Sequence, residues 1–357
     1  MQEIIIKKTM GKNLINVALF GLGRIGLMHA NNLINNKNFN LKYIFDVNRK
    51  LAKKVSKNLN CQNIENPQIA YKDKKIDCIF ISSTTSTHLK FIYESIKSNK
   101  TVFCEKPLDL NLKKIQNYEK KINKFNHKIQ IGFNRRYDPG HSSLKNNLIK
   151  GKIGKLEKII ITSRDPAAPS INYLKASGGI FKDMMIHDFD LARYYAGKDE
   201  FVSIFATGSN ISNKYFNKLK DFELATAILK TKNGVQCIIS NSRHCSFGYD
   251  QRVELFGSKG MIISDNIKEN EISLYSNKST NARSSFKHFF IERYDQAYKE
   301  QLNDLAKLFR SNLRPKSGFI DGKISIQIAE SAIRSLKSKK FETIKSVSYT
   351  HLRAHET

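Results

Sequence analysis

Cysteine is sparse and unpaired in the 357-residue chain: Cys61, Cys78, Cys104, Cys237 and Cys245 are scattered, and none forms a C-x-x-C pair. That excludes the common zinc and dithiol redox motifs, so no metal is expected and the thiols read as reduced and mostly buried. Long apolar runs are missing too, none approaching the ~20 residues that a membrane-spanning helix needs. The opening residues, MQEIIIKKTMGKN, lack the apolar stretch and small-residue cleavage site of a secretory leader. The expectation is a cytoplasmic chain with no membrane partner. There is no internal repeat and no low-complexity linker. Acidic side chains are few: 32 Asp and Glu stand against 61 Lys and Arg, for a net charge of +29. A nucleic-acid site needs its cations clustered. Here they are spread along the whole chain among abundant Asn and Ile, the pattern that AT-rich codon usage produces. The reading is a solvated basic surface, attractive to anionic cofactors, with no nucleic-acid partner.

What is present points to two domains. A hydrophobic fraction of 40% is enough for two ordinary cores. Residues 14–20, LINVALF, read as a strand leading into Gly21-Leu22-Gly23-Arg24-Ile25-Gly26. A helix-like stretch follows over 25–33, then a second strand over 41–45 that ends in Asp46, twenty residues after Gly26. A lone G-x-G-x-x-G is weak, but this one has the strand, helix and acidic residue that a dinucleotide-binding turn requires. Gly21 makes the turn, Gly23 admits a pyrophosphate, and Gly26 lets the helix pack on the strand. Asp46 would hold the ribose hydroxyls and repel a 2′-phosphate, favouring NAD over NADP; Arg49 pulls the other way. Helices over 50–59, 87–98 and 112–125 alternate with strands over 77–82, 101–104 and 128–132, as in a parallel doubly wound sheet. Ligands collect at the carboxyl ends of such strands. One end carries the hydroxyl-rich residues 82–88, SSTTSTH, suited to ribose and nicotinamide contacts or, equally, to a turn with an N-cap. Another carries Glu105-Lys106-Pro107, where a lysine projects from a strand end toward a cleft.

The pattern changes after residue 134. Residues 137–150 read as helix, 156–162 as strand, and 163–179 as an irregular stretch ending in Gly178-Gly179. A single helix then carries Asp183 and His187 and runs to Tyr195, stopped by Gly197. Four residues apart, the two would project about 40° from each other on one helical face. That spacing suits an acid/base pair, in which a carboxylate orients an imidazole; it also suits a capping aspartate and a packed histidine. Strands over 225–231 and 235–240 flank Asn233-Gly234, a hairpin signal, and 257–260 mark another turn. Tyr249, Tyr294 and Tyr298 would line a polyol pocket or sit as partly buried core tyrosines. Helices over 293–310 and 322–337 close the chain. The fold class is therefore α/β: an N-terminal Rossmann doubly wound parallel sheet over 14–134, and a C-terminal α+β domain over 135–345 with a largely antiparallel sheet. Residues 347–357, VSYTHLRAHET, look like a translated library adapter, so His351 and His355 attract no ligand reading.

The glycine loop, Glu105-Lys106-Pro107 and Asp183-x-x-x-His187 stand in one order, joined by GFNRRYDP at 132–139, SRDP at 163–166, SGGIFKDMMIHDFD at 177–190 and GYDQRVELFGSKG at 248–260. On these motifs the sequence resembles the Gfo/Idh/MocA oxidoreductase family over residues 16–345, most specifically its inositol dehydrogenase branch. The resemblance implies Lys106, Asp183 and His187 as catalytic residues. It implies Gly21, Gly23, Arg24, Ile25, Gly26, Asp46, Ser83, Thr84, His88 and Glu105 as cofactor contacts, with Asp165, Asp190, Tyr249 and Tyr298 joining the catalytic three around substrate. The implied reaction is NAD-dependent oxidation of a cyclitol hydroxyl, myo-inositol to its 2-keto form, in a homotetramer. His187 would serve as base, Asp183 would orient it, and Lys106 would hydrogen-bond the reacting oxygen. A scyllo-inositol or aldose dehydrogenase, with NADP as the other cofactor, and a non-catalytic cofactor-sensing binding protein are the alternatives. Ala167-Ala168-Pro169 departs from the more proline-rich stretch expected in close relatives, which bears on pocket shape.

Overall fold

The computed structural model describes residues 14–122, 128–213, 215–311 and 313–345; the 123–125 end of the expected third helix and the adapter-like tail lie outside them. The first domain runs β1 (Ile15–Phe20), α1 (Arg24–Ile34), β2 (Phe39–Phe45), α2 (Arg49–Asn58), β3 (Gln62–Asn63), α3 (Pro67–Lys72), β4 (Cys78–Ile81), α4 (Thr85–Lys97), β5 (Thr101–Cys104), α5 (Leu112–Ile122) and β6 (Ile129–Ile131). Its six strands pair in parallel in the order β3-β2-β1-β4-β5-β6. Every residue of β4 and β5 is buried, because helices cover both faces of a parallel sheet and its central strands become continuous apolar runs. The strand ends are stepped. Gly21 N donates to Phe45 O, Ser82 N to Phe20 O, Glu105 N to Ile81 O and Gly132 N to Cys104 O, each at 2.8 Å. Those four bonds gather the glycine loop, the serine loop and the Glu105-Lys106 turn along one edge. The pair β3 and α3 was not expected; β3 is two residues long and carries no alternation to read.

The second domain follows a 3-10 turn at Asn134–Tyr137: α6 (Pro139–Ile149), β7 (Leu156–Arg164), α7 (Ile171–Ser177), α8 (Ile180–Asp183), α9 (Ile186–Ala196), β8 (Phe201–Ser209), α10 (Tyr215–Leu219), β9 (Leu224–Thr231), β10 (Gln236–Ser242), β11 (Asp250–Gly257), β12 (Gly260–Ser264), β13 (Ser273–Ser276), β14 (Ser279–Arg283), α11 (Phe290–Arg293), α12 (Asp295–Arg310), α13 (Phe319–Ser338) and β15 (Glu342–Thr343). Seven strands form one sheet in the order β12-β11-β7-β10-β9-β8-β15, antiparallel except where β7 meets β10. Gly234, at φ +95°, makes the β9–β10 hairpin that its sequence announces. One face of the sheet packs on α9 and α13 through Phe189, Leu191, Ile324, Ile328 and Ala332. The other face leaves Ile228, Phe256, Met261 and Ile263 exposed.

Three local expectations are corrected. The helix read over 137–150 starts only at Pro139, because Asp138 is its N-cap and accepts from His141 N at 3.0 Å. The stretch read as irregular contains α7. The helix expected to carry both Asp183 and His187 is two helices. Met184 N and Met185 N both donate to Ile180 O, which widens the turn, ends α8 at Asp183, and starts α9 at Ile186. The domain division is also crossed. Leu302, Leu305, Ala306 and Leu308 of α12 complete the core that Ile15, Val17, Leu19, Phe80 and Phe103 begin.

Candidate active site

The glycine loop is shaped as a cradle. Gly21 sits at φ +97°, and a Cβ there would lie 2.5 Å from the Ser83 backbone; a Cβ at Gly26 would lie 2.1 Å from Gly21 O. A Cβ at Gly23 would meet nothing within 4 Å, so the backbone there is open to an incoming group. The first turn of α1 has no side-chain cap and no acidic residue, which leaves its N–H groups and the positive end of the dipole free for a phosphate. Asp46 Oδ2 accepts from Leu22 N and Oδ1 from Asn48 N, each at 2.7 Å, so this carboxylate braces the loop from the end of β2. These residues fit a dinucleotide. Ile25 packs against a cluster of Tyr137, Tyr249, Tyr294 and Tyr298, and the Arg24 guanidinium lies 5.4 Å from the Phe289 ring centroid, so the cradle abuts the second domain.

Other expected cofactor contacts have different work. Ser83 and Thr87 share a 2.7 Å hydroxyl contact at the start of α4, and Thr84 is the N-cap residue, its side chain making no cap bond. His88 is buried, its ring nitrogens 2.8 Å from Pro107 O and 3.0 Å from Ser83 O, and burial pulls its pKa down. It ties the serine loop to the turn after β5 and keeps no nitrogen for a cofactor. Glu105 is likewise engaged: Oε1 lies 2.7 Å from His29 Nε2 on α1, and Oε2 accepts from Lys106 N at 3.2 Å.

The chemistry-bearing groups meet where the Lys106 turn faces α8. Lys106 Nζ donates to Asp183 O at 3.0 Å and lies 3.5 Å from Asp183 Oδ1. Tyr173 OH donates to the same Oδ1 at 2.6 Å, and Arg243 Nη1 donates to Oδ2 at 3.0 Å. Burial by itself would raise the Asp183 pKa, but Lys106, Arg243 and the Tyr173 hydroxyl together hold it below the ordinary value. Asp165 is 3.9 Å from Arg243, and burial, with the Asp183 charge adding to it, pushes its pKa up to about 6. His187 lies edge-on to Phe133, with ring centroids 6.2 Å apart, and its Nδ1 is buried without a hydrogen-bond partner. Burial, then the nearby charges of Lys106 and Arg135, depress its pKa well below the usual histidine value. The expectation that Asp183 orients His187 is therefore corrected. The widened turn separates them, and the carboxylate is taken up by Arg243, Tyr173 and Lys106.

Of the expected substrate contacts, Asp165 lies in this cluster. Tyr249 and Tyr298 lie in the buried tyrosine group, Tyr298 edge-on to His29 at 5.5 Å. Asp190 does not share the setting: both its oxygens accept from Arg136, at 2.6 and 2.7 Å, and it is 1% exposed. Beside it Arg135 is bonded to Asp188, which also accepts from Ser163 and Asn241, locking α9 under β7 and β10. Tyr173 and Arg243 were missed. Arg243 directly follows β10 and is 1% exposed, a placement that the strand pattern alone could have flagged as an arginine carried inward. Tyr173 lay in a stretch with no readable period. Among the described residues no group of three or more His, Cys, Asp or Glu side chains is placed to hold a metal ion, and no helix is long and apolar enough to cross a membrane.

Comparison with known proteins covers both domains. The model of the oxidoreductase family with an NAD-binding Rossmann fold, GFO/IDH/MocA, matches residues 15–133, and that of the GFO/IDH/MocA C-terminal domain matches residues 141–263. The myo-inositol 2-dehydrogenase of Thermotoga maritima is 37% identical over 334 residues, covering 93% of this chain and 99% of that protein. The crystal structure of a myo-inositol dehydrogenase from Corynebacterium glutamicum superposes with a TM-score of 0.90 at 35% identity, covering 94% of this chain and 100% of the other. That of the scyllo-inositol dehydrogenase from Lactobacillus casei, with bound cofactor NAD(H) and scyllo-inositol, superposes with a TM-score of 0.87 at 26% identity, covering 94% and 100%.

Proposed function

Because the chain belongs to the Gfo/Idh/MocA family of NAD-binding oxidoreductases, we propose that it oxidises one ring hydroxyl of a cyclitol, myo-inositol to the 2-keto compound. The observation that carries this reading is the contact of Lys106 Nζ with Asp183, next to His187 and on the edge that also holds the glycine cradle. Gly21, Gly23 and Gly26 would hold the pyrophosphate of NAD, and Asp46 its adenosine ribose. When bound, NAD supplies the hydride acceptor. The rest falls to the chain's own residues. His187, kept neutral by burial and by neighbouring cations, is ready to accept the hydroxyl proton at neutral pH. The Lys106 ammonium, aimed by the Asp183 carbonyl and carboxylate, donates to the reacting oxygen and stabilises the negative charge that develops there. Asp165 offers a second carboxyl to the remaining hydroxyls.

The second reading is scyllo-inositol as substrate. The likeness to the Lactobacillus casei enzyme, whose structure holds that compound, supports it. Following NADH formation with myo-inositol, scyllo-inositol and glucose, each with NAD and with NADP, tests both. Turnover only with glucose, or with no polyol from protein shown to bind NADH, would remove the cyclitol assignment. The apolar outer face around Ile228, Phe256, Met261 and Ile263 supports a further proposal, that copies of the chain pack sheet to sheet in a homotetramer.

A further inference from the structure

Tyr173 combines two features that rarely coincide. Its residue is 49% exposed, yet its hydroxyl is bonded at 2.6 Å to Asp183, a buried carboxylate in the middle of the site. It rides on α7, which has shallow roots: Leu174 is buried, whereas Ile171 is 45% exposed. The segment is bounded by Pro166 and Pro169 before it, and by Gly178 and Gly179 after it, both glycines at positive φ, +84° and +82°. A short helix between such ends can swing about the glycines with little else to break. The carboxylate beneath it is otherwise held from below, by Arg243 at the end of β10 and Lys106 after β5, with Asp165 after β7 on the far side of Arg243. Tyr173 therefore supplies the one hydroxyl that an outer segment brings to Asp183 Oδ1, the oxygen nearest Lys106.

We propose that α7 is a cap over the cyclitol site and that Tyr173 is its latch, a positioning residue that fixes the rotamer and the ionised form of Asp183 while the cap is shut. The inference rests on the assignment of the Lys106–Asp183 cluster as the substrate site. A polyol enters as the latch opens, and its hydroxyls meet an Asp183 already aimed at Lys106 once the latch closes.

The test is Tyr173→Phe, which keeps the ring and removes the donor. Hydrogen exchange of the peptide covering residues 166–179, read in the NADH complex without substrate, should quicken by about threefold or more, because local opening has lost a hydrogen bond. A bond to a charged acceptor is worth about tenfold in an equilibrium, so the cyclitol KM should rise by about that factor with a smaller change in kcat. The acid limb of kcat/KM should move to higher pH, toward the pKa of an Asp183 with one donor fewer, while NADH affinity by fluorescence stays put. Tyr173→Ala should quicken exchange further. Faster exchange in a protein that turns over no cyclitol would sustain the cap and sink the substrate assignment. Normal turnover with exchange and pH profile both unmoved would overturn the latch.

Discussion

Arg243 Nη1 lies 3.0 Å from Asp183 Oδ2 and 3.9 Å from Asp165 Oδ2, so one buried guanidinium serves two carboxyl groups. The arrangement divides them. Asp183, with the shorter bond and two further donors, is held ionised, while Asp165 is left with a pKa of about 6. Two like groups pushed apart in this way can take different roles in one pocket.

Removing the shared cation should be costly. Arg243→Met leaves Asp183 buried beside Asp165 without its closest positive partner, and breaking a buried pair from one side costs roughly 3–5 kcal/mol. Denaturant unfolding should show a loss of that order at neutral pH. A variant as stable as the wild type would mean that Lys106 and water already neutralise the site.

Asp165 makes a pH-dependent prediction. Its pKa is raised in the folded protein, so the native state binds a proton that the unfolded chain has already released between about pH 4 and 6. The stability it contributes is present below pH 4 and is lost as pH rises through 6. Asp165→Asn should thus be stabilising by about 1 kcal/mol at pH 7, discounted because the carboxyl reaches solvent, and close to neutral at pH 4. Melting curves at the two pH values decide it; equal effects at both would show that the carboxyl titrates normally.

His187→Ala should lower kcat by about 10² to 10⁴ through loss of the base. NADH affinity should be nearly unchanged, because the glycine cradle does not involve the imidazole. Normal turnover by this variant would transfer the proton-accepting role elsewhere.

The two glycines of the cradle should separate folding from binding. Gly23→Ala places its methyl in open space at an ordinary φ, so the apo protein should unfold within about 0.5 kcal/mol of the wild type while NADH affinity falls sharply. Gly26→Ala drives a methyl to 2.1 Å from Gly21 O, which should destabilise the fold itself by about 1–3 kcal/mol. Equal loss of stability in both variants would argue against an open face at Gly23.

What could be read from the sequence follows from locality. The glycine loop, the strand ending in Asp46, and the Lys106 turn are each encoded within a few adjacent residues, so pattern and spacing suffice. The contacts that define the site are not local: Lys106 reaches Asp183 across 77 positions and Arg243 reaches it across 60. Reading Asp183 and His187 as one pair failed for a specific reason. Helical spacing assumes i→i−4 bonding, and the bond from Met185 N to Ile180 O breaks that count without any proline or glycine to announce it. Asp190 looked like a pocket residue in its motif, yet Arg136, fifty-four positions earlier, claims both oxygens.

The return of α12 to the first sheet governs the order in which the chain can complete itself. During synthesis the strands β1 to β6 and their helices emerge first, but the side of their core that Leu302, Leu305, Ala306 and Leu308 close must wait for about half of the chain more. A nascent or truncated chain ending before residue 295 carries an open apolar face where α12 belongs. The nucleotide cradle and the polyol site are thus finished together, and neither domain is a module that can be cut away from the other.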